Sequence, residues 1–224
     1  KLYKVMCYSL KNGGKRLRPL IIKEIAKSLD LNKRQYIKSM IAIELVHSYS
    51  LIHDDLPCMD DDDYRRGRLS THKKYDEAQA ILAGNSLLTM AFNLLSQDSN
   101  LSLVELLSEL SGYEGLAGGQ SLDIDSIKKK LNYKLIDEIH DLKTAKLFEF
   151  CTAAPFIISN KSKDKIKMSR KYGRIIGKVF QIIDDVHDYE NKSYEFINIL
   201  NVITKDEALK RCNDYELEAD MLRK

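Results

Sequence analysis

IKSMIAIELVHSYSLIH, residues 37–53, runs without a break into Asp54-Asp55-Leu56-Pro57-Cys58-Met59-Asp60-Asp61-Asp62-Asp63. In the first stretch Ile37, Ile41, Leu45 and Leu51 recur near helical spacing, and Met40, Ile43 and Val46 broaden the stripe. A long amphipathic helix therefore delivers a dense acidic cluster at its end. A bland acidic loop would spread into solvent. This cluster instead grows out of an apolar helix and is answered at once by Arg65, Arg66 and Arg68. On an unbroken helix Asp54 and Asp60 would point to different faces, because the helix repeats every ~3.6 residues. Pro57 breaks that register. Leu56–Met59 can then loop out and return Asp60 to the side of Asp54. Carboxylate oxygens suit a hard cation such as magnesium, which commonly bridges to phosphate. An EF-hand is a poor fit, since its glycine and closing glutamate are not in place.

Outward from this stretch the period stays helical. Ile81, Leu82, Leu87, Leu88, Met90, Ala91, Leu94 and Leu95 read as a nearly all-round apolar helix, hence a buried one. Segments 101–119, 134–158, 164–189 and 206–223 read as further helices. Asp98-Ser99-Asn100 and Lys128-Lys129-Lys130 read as solvated loops. No strand-like alternation persists, so the expected class is an all-α bundle. The 224 residues are enough for one domain, 1–224, with a sizeable core. A net charge of +3 does not point to nucleic acid. No apolar run is read as long enough to span a bilayer, and no signal peptide is visible. Cys7, Cys58, Cys151 and Cys212 form no CxxC pair, which fits a reducing, cytoplasmic setting.

A second acidic cluster, Gln181-Ile182-Ile183-Asp184-Asp185-Val186-His187-Asp188, lies within helical sequence. Asp184 and Asp188 are one turn apart and share a face, where like charges destabilise a helix unless neutralised. A metal ion is the simple remedy; a solvated acidic patch is the alternative. Asn12-Gly13-Gly14-Lys15-Arg16-Leu17-Arg18-Pro19 is a glycine turn followed by cations, suited to close backbone approach and to phosphate oxygens. His47 lies on the stripe that reaches Asp54 by way of Leu51. Lys143 could meet phosphate as a point charge, and Gly118-Gly119-Gln120 with Asp123 hint at close helix packing or a bend.

Together these residues resemble the trans-isoprenyl diphosphate synthases, most closely the bacterial farnesyl type. The resemblance runs from Gly13–Pro19 and Glu44–His53 through the DDxxxxD motif at Asp54, Asp55 and Asp60 and then Arg65-Arg66-Gly67. It continues in Gly118-Gly119-Gln120, Lys143-Thr144 and the DDxxD motif at Asp184, Asp185 and Asp188. It implies an isoprenoid-synthase helical bundle around a deep central cavity. Asp54, Asp55, Asp60, Asp184, Asp185 and Asp188 would hold three magnesium ions, with manganese as an alternative, and an allylic diphosphate. Arg65, Lys143, Gln181 and Lys192 would contact that diphosphate. Lys15, Arg18, His47 and Arg66 would bind isopentenyl diphosphate, and Thr144 and Gln181 would lie near the reacting carbons. The implied chemistry is metal-assisted ionisation of the allylic bond, attack by the isopentenyl double bond, and loss of a proton. The family also suggests a homodimer, with no nucleic acid and no membrane insertion.

Tyr49, with Ser50 beside it, resembles the bulky cavity floor that stops growth at farnesyl diphosphate. Tyr49 lies ~7.5 Å along the helix axis from Asp54. A geranylgeranyl diphosphate synthase is the alternative product assignment. Other readings are a metal-dependent phosphohydrolase built on His53-Asp54, a regulatory synthase subunit, and a terpene cyclase. Each leaves part of the pattern unexplained: the glycine–lysine–arginine turn, the intact aspartate motifs, or Lys15, Arg18 and His47. Departures from the family are Asn85 in place of aspartate, His187 within the second motif, and a short Asp188-to-Lys192 loop. That loop, the N-terminal helix and the C-terminal tail read as incomplete.

Overall fold

The computed structural model describes residues 1–11, 13–98, 100–190 and 197–222. The chain divides into two compact units, Lys1–Glu105 and Leu106–Lys224.

The first unit contains α1 (Leu2–Leu10), α2 (Leu17–Ser28), α3 (Lys33–Asp54), a hairpin of β1 (Tyr64–Arg65) and β2 (Arg68–Leu69), the single turn α4 (Thr71–Lys74), and α5 (Glu77–Ser96). The apolar stripe that leads into the first acidic cluster is α3. Its start is fixed by a capping box: the Asn32 side chain accepts from Arg34 N–H at 3.1 Å, and Gln35 Oε1 accepts from Asn32 N–H at 2.9 Å. α5 begins at Asp76, whose carboxylate accepts from Gln79 N–H at 2.7 Å. Val5, Ile22, Ile43, Val46, Leu87 and Leu95 are fully buried and make the core of this unit.

α5 departs from expectation twice. It buries one stripe, Ala80, Ala83, Gly84, Leu87, Ala91 and Leu95, and leaves Ile81, Leu82 and Met90 about half exposed. It is also long and apolar enough to cross a bilayer by length and composition, contrary to the sequence reading. The reason for both is that no charge interrupts it between Glu77 and Asp98. Apolarity here marks two faces, of which only one is buried among the described residues. Asp98 is not merely solvated: it accepts from Lys38 Nζ at 2.6 Å.

The second unit contains α7 (Leu116–Ser126), α8 (Tyr133–Ile139), a π-helical turn (His140–Ala145), α9 (Lys146–Ile158), α10 (Lys163–Glu190), a 3-10 turn (Ile199–Asn201) and α11 (Lys205–Leu222). The division of the chain falls within α6 (Leu101–Ser111). The expected helix 101–119 is thus two, broken at Gly112–Gly115. The helix buried all round is α9, in which every residue from Leu147 to Pro155 is covered. Each fully buried Phe or Leu there contributes roughly 1.5–3 kcal/mol. The expected 134–158 helix is continuous but carries the extra residue of the π turn, the kind of irregularity that recurs at functional sites.

Candidate active site

In the first unit, α3 ends at Asp54 and the chain turns back on itself. Leu56 N–H reaches the His53 carbonyl at 3.1 Å, Met59 N–H the Leu56 carbonyl at 2.8 Å, and Asp60 N–H the Asp54 carbonyl at 2.9 Å. The Pro57 loop therefore does what the register argument requires, and Asp60 returns to the end of the helix. Asp61, next along, takes a left-handed φ of 53° and closes onto the Leu56 carbonyl at 3.1 Å. A residue held in that region stores strain, which accumulates where geometry matters.

The arginines are placed by the β1–β2 hairpin. Its tip, Arg66-Gly67, has φ values of 55° and 74°, the left-handed pair that suits the twist of a two-residue hairpin turn. The adjacent Arg65 and Arg66 side chains take different partners. Arg65 Nε donates to Asp55 at 2.7 Å and its Nη2 to Asp62 at 2.8 Å. Arg66 Nη1 donates to the Gly13 carbonyl at 2.7 Å. Gly14 takes a φ of 106°, a backbone conformation that L side chains rarely adopt, so glycine is favoured beside that guanidinium. Asp55 is 2 % exposed, and burial pushes its carboxyl up from the usual range against the pull of Arg65. For Arg65 itself burial is the largest single influence and would lower it. The hydrogen bond that Arg65 donates to Asp55 and the charges of Asp55, Asp62 and Asp54 outweigh it and raise it.

Three of the four residues that the resemblance links to isopentenyl diphosphate, Arg18, His47 and Arg66, lie near one another. Arg18 Nη1 lies 3.3 Å from His47 Nε2. The His47 ring is held well below the ordinary histidine range, first by burial and then by the charges of Arg18, Arg66, Arg16 and Arg65. Lys15 is exposed. Arg16, which sequence reasoning treated only as part of a basic run, ties the turn to α3: it is left-handed, with φ 50°, and its guanidinium bonds both Glu44 and the Leu10 carbonyl. Tyr49 meets His53 edge to face, ring centroids 5.5 Å apart. Its hydroxyl is pushed up by burial and by the charge of Asp54. Ser50 is buried and folds its hydroxyl back onto the His47 carbonyl at 3.1 Å. A grouping not foreseen is Asp61, Asp63 and His72, whose ligand atoms lie within 4.8 Å of one another. Asp63 already pairs with Lys73 at 2.8 Å.

In the second unit the π turn carries Lys143 and Thr144. Gly119 of α7 packs directly beneath it, and a Cβ there would stand 2.4 Å from the Lys143 nitrogen. Lys143 Nζ is paired with Asp123, one helical turn on from Gly119. Thr144 Oγ1 donates to Gln181 Oε1 at 2.7 Å, joining the π turn to α10. Asp184 and Asp188 share a half-exposed stripe of α10. Asp185 does not: it is 5 % exposed and surrounded by donors from Gln181, Ile199 and His140. Gln120 is buried, and its amide nitrogen and oxygen have no hydrogen-bond partner among the described residues. Lys192 lies outside the described residues.

A model of the polyprenyl synthetase family matches residues 1–204. The farnesyl diphosphate synthase of Bacillus subtilis (strain 168) is 43% identical over 197 residues, covering 84% of this chain and 67% of that protein. The crystal structure of an FPP/GFPP synthase from Zymomonas mobilis superposes with a TM-score of 0.90 at 34% identity, covering 99% of this chain and 81% of that one. A Helicobacter pylori geranyltransferase complexed with magnesium and isoprenyl diphosphate gives a TM-score of 0.85 at 32% identity, covering 97% and 79%.

Proposed function

We infer the function from the family: this chain belongs to the polyprenyl synthetases, of the bacterial farnesyl diphosphate synthase type. From that membership we propose that it condenses isopentenyl diphosphate head to tail with dimethylallyl or geranyl diphosphate to give farnesyl diphosphate. The observation that carries the reading is the hydrogen bond from Asp60 N–H to the Asp54 carbonyl. It returns Asp60 to the end of the apolar helix beside Asp54, and carboxylate oxygens from two such residues suit magnesium.

Of the six aspartates expected to hold magnesium, Asp54, Asp60, Asp184 and Asp188 are the ligands assigned, with three ions expected and manganese as the second choice; Asp55 and Asp185 are set apart because each is buried against protein donors, Arg65 for the first, Gln181 and Ile199 for the second. Magnesium held by these residues would supply charge neutralisation of the diphosphate and so a better leaving group. Arg65 and Lys143 hold the allylic diphosphate by charge. Lys192 is assigned to the same group on the resemblance. Lys15, Arg18, His47 and Arg66 bind isopentenyl diphosphate, and His47 serves as a neutral hydrogen-bonding ring because burial and four arginines disfavour its protonation. Thr144 and Gln181 lie beside the reacting carbons. The proton released after carbon–carbon bond formation passes to the departing diphosphate. The reaction requires apolar surroundings that keep water from quenching the cation. Tyr49, whose ring is braced on His53, limits chain growth and favours farnesyl over geranylgeranyl diphosphate.

The assembly proposed is a homodimer, for which the exposed Ile81, Leu82 and Met90 of α5 supply an apolar face. A cytoplasmic setting suits the four free cysteines, of which Cys151 is buried. Incubation with labelled isopentenyl diphosphate and separate dimethylallyl, geranyl and farnesyl primers, followed by product chromatography, tests the reading. Farnesyl diphosphate from the first two primers is the expected product. Absence of incorporation with any primer, in protein shown to be folded, overturns the assignment.

A further inference from the structure

We propose that Asp185 is a positioning residue rather than a metal ligand: its carboxylate fixes which way round the Gln181 amide faces, and thereby the direction in which Thr144 donates its hydroxyl. The inference rests on the prenyl-transfer reading above and concerns the same site.

The acidic motif on α10 is divided by the helix itself. Successive residues are rotated by about 100°. Asp184 and Asp188 therefore share one stripe, and Asp185 falls on the inner side, 5 % exposed. There Oδ1 accepts from Gln181 Nε2 at 2.9 Å. Oδ2 accepts from Ile199 N–H at 2.7 Å and lies 3.2 Å from His140 Nε2. The Asp185 main-chain carbonyl accepts from Asn198 Nδ2 at 2.9 Å. Both carboxylate oxygens are thus engaged by groups on three different elements. Turning the side chain outward to a cation would orphan the Ile199 amide.

The polarity of this network is forced. An ionised carboxylate only accepts, so Gln181 must present its NH2 to Asp185. Its carbonyl then faces Thr144, and Thr144 must donate, at 2.7 Å. The remaining lone pairs of Thr144 and of the Gln181 oxygen are what the pair can offer to developing positive charge. A reversed amide would offer N–H groups instead, the wrong sign for a carbocation. His140 opens the π turn that carries Lys143 and Thr144, so the same carboxylate also braces that turn.

The test compares Asp185→Asn, Asp184→Asn and the swap Gln181→Glu/Asp185→Asn with the wild-type chain. In the swap the amide introduced at position 185 donates to the carboxylate introduced at position 181. The carbonyl of that new amide accepts from Ile199 N–H, and Thr144 again donates. For Asp185→Asn the expected result is a kcat lowered on the order of 100-fold, with KM for both diphosphates and the magnesium half-saturation within about twofold. The swap should recover at least about tenfold of the loss, which a merely structural carboxylate would not predict. Asp184→Asn should instead raise the magnesium half-saturation on the order of tenfold. A raised magnesium requirement in Asp185→Asn, or no recovery in the swap, overturns the proposal. Should Asp185→Asn fail to fold, the swap retains every hydrogen bond and decides alone: low kcat in a folded swap overturns it. A wild-type chain that makes no prenyl product would overturn the reading of the reaction instead.

Discussion

Asp60 donates its backbone N–H to the carbonyl of Asp54, six residues back, at 2.9 Å. Nothing in a regular helix makes that bond, whose ordinary partner is four residues back. The inserted Pro57 loop replaces one helical turn with a longer excursion, so two aspartates of mismatched register end at the same place. The pairing is made by the main chain and consumes neither carboxylate.

Asp54→Asn and Asp60→Asn should therefore each lower kcat on the order of 100–1,000-fold, the scale of losing one preorganised electrostatic contact. Their melting temperatures should stay within a few degrees of wild type. If the two residues act on one cation, the double variant will be far less than multiplicative. Steady-state kinetics at saturating magnesium, with thermal melts alongside, measure both.

Much of this geometry is legible in the sequence alone. Pro57 announces the register break, and the stripe of α3 announces the helix that feeds it. The hairpin at Tyr64–Leu69 is not legible, because two residues per strand are too few to show alternation. The left-handed Arg16 and Arg66 are invisible for another reason: tertiary contacts to Glu44 and Gly13, not local propensity, hold them there. Nor can the motifs reveal that their middle aspartates turn inward, Asp55 to Arg65 and Asp185 to Gln181. A motif gives residue type and spacing. Which side of a helix faces protein depends on the neighbours.

Tyr49→Ala should lengthen the product from farnesyl to geranylgeranyl diphosphate. The ring stands one turn before His53 and rests edge to face on it, so its removal opens space at the end of α3. Chromatography of labelled products reads the outcome, and unchanged chain length would refute the assignment of Tyr49 as the limit.

Arg18→Ala and Arg66→Ala should raise KM for isopentenyl diphosphate about 10–100-fold while leaving kcat within a few-fold, the signature of lost uniform binding. KM for geranyl diphosphate should change little. An equal rise for both substrates would show that the two arginines do not discriminate between the diphosphate subsites.

His47 predicts a pH effect of defined sign. Its folded-state value lies below its unfolded one, so the folded chain resists protonation while the unfolded chain accepts it. Stability from this residue is present above the unfolded value of about 6.5 and is lost as pH falls toward the folded value. Each pH unit crossed within that window removes about 1.4 kcal/mol. Denaturation midpoints of wild type and His47→Gln between pH 7.5 and 5 measure the difference. Their stabilities should converge as pH falls, and parallel curves would refute the prediction.

Gly119→Ala tests how the π turn is held. The added Cβ would stand 2.4 Å from the Lys143 nitrogen and 2.8 Å from the Leu142 carbonyl carbon, and neither main-chain atom can yield as a flexible side chain would. Overpacking of this kind costs about 1–3 kcal/mol. In a chain of this size each kcal/mol lowers Tm by about 2–4 °C. The strain falls where Lys143 pairs with Asp123 and Thr144 meets Gln181, so activity should fall more than stability alone explains. At a temperature where the variant is fully folded, kcat should be down at least about tenfold, since an angstrom-scale misplacement of positioning groups can cost 100-fold. Wild-type kcat in a folded Gly119→Ala chain would mean that the π turn's register does not matter to the reaction.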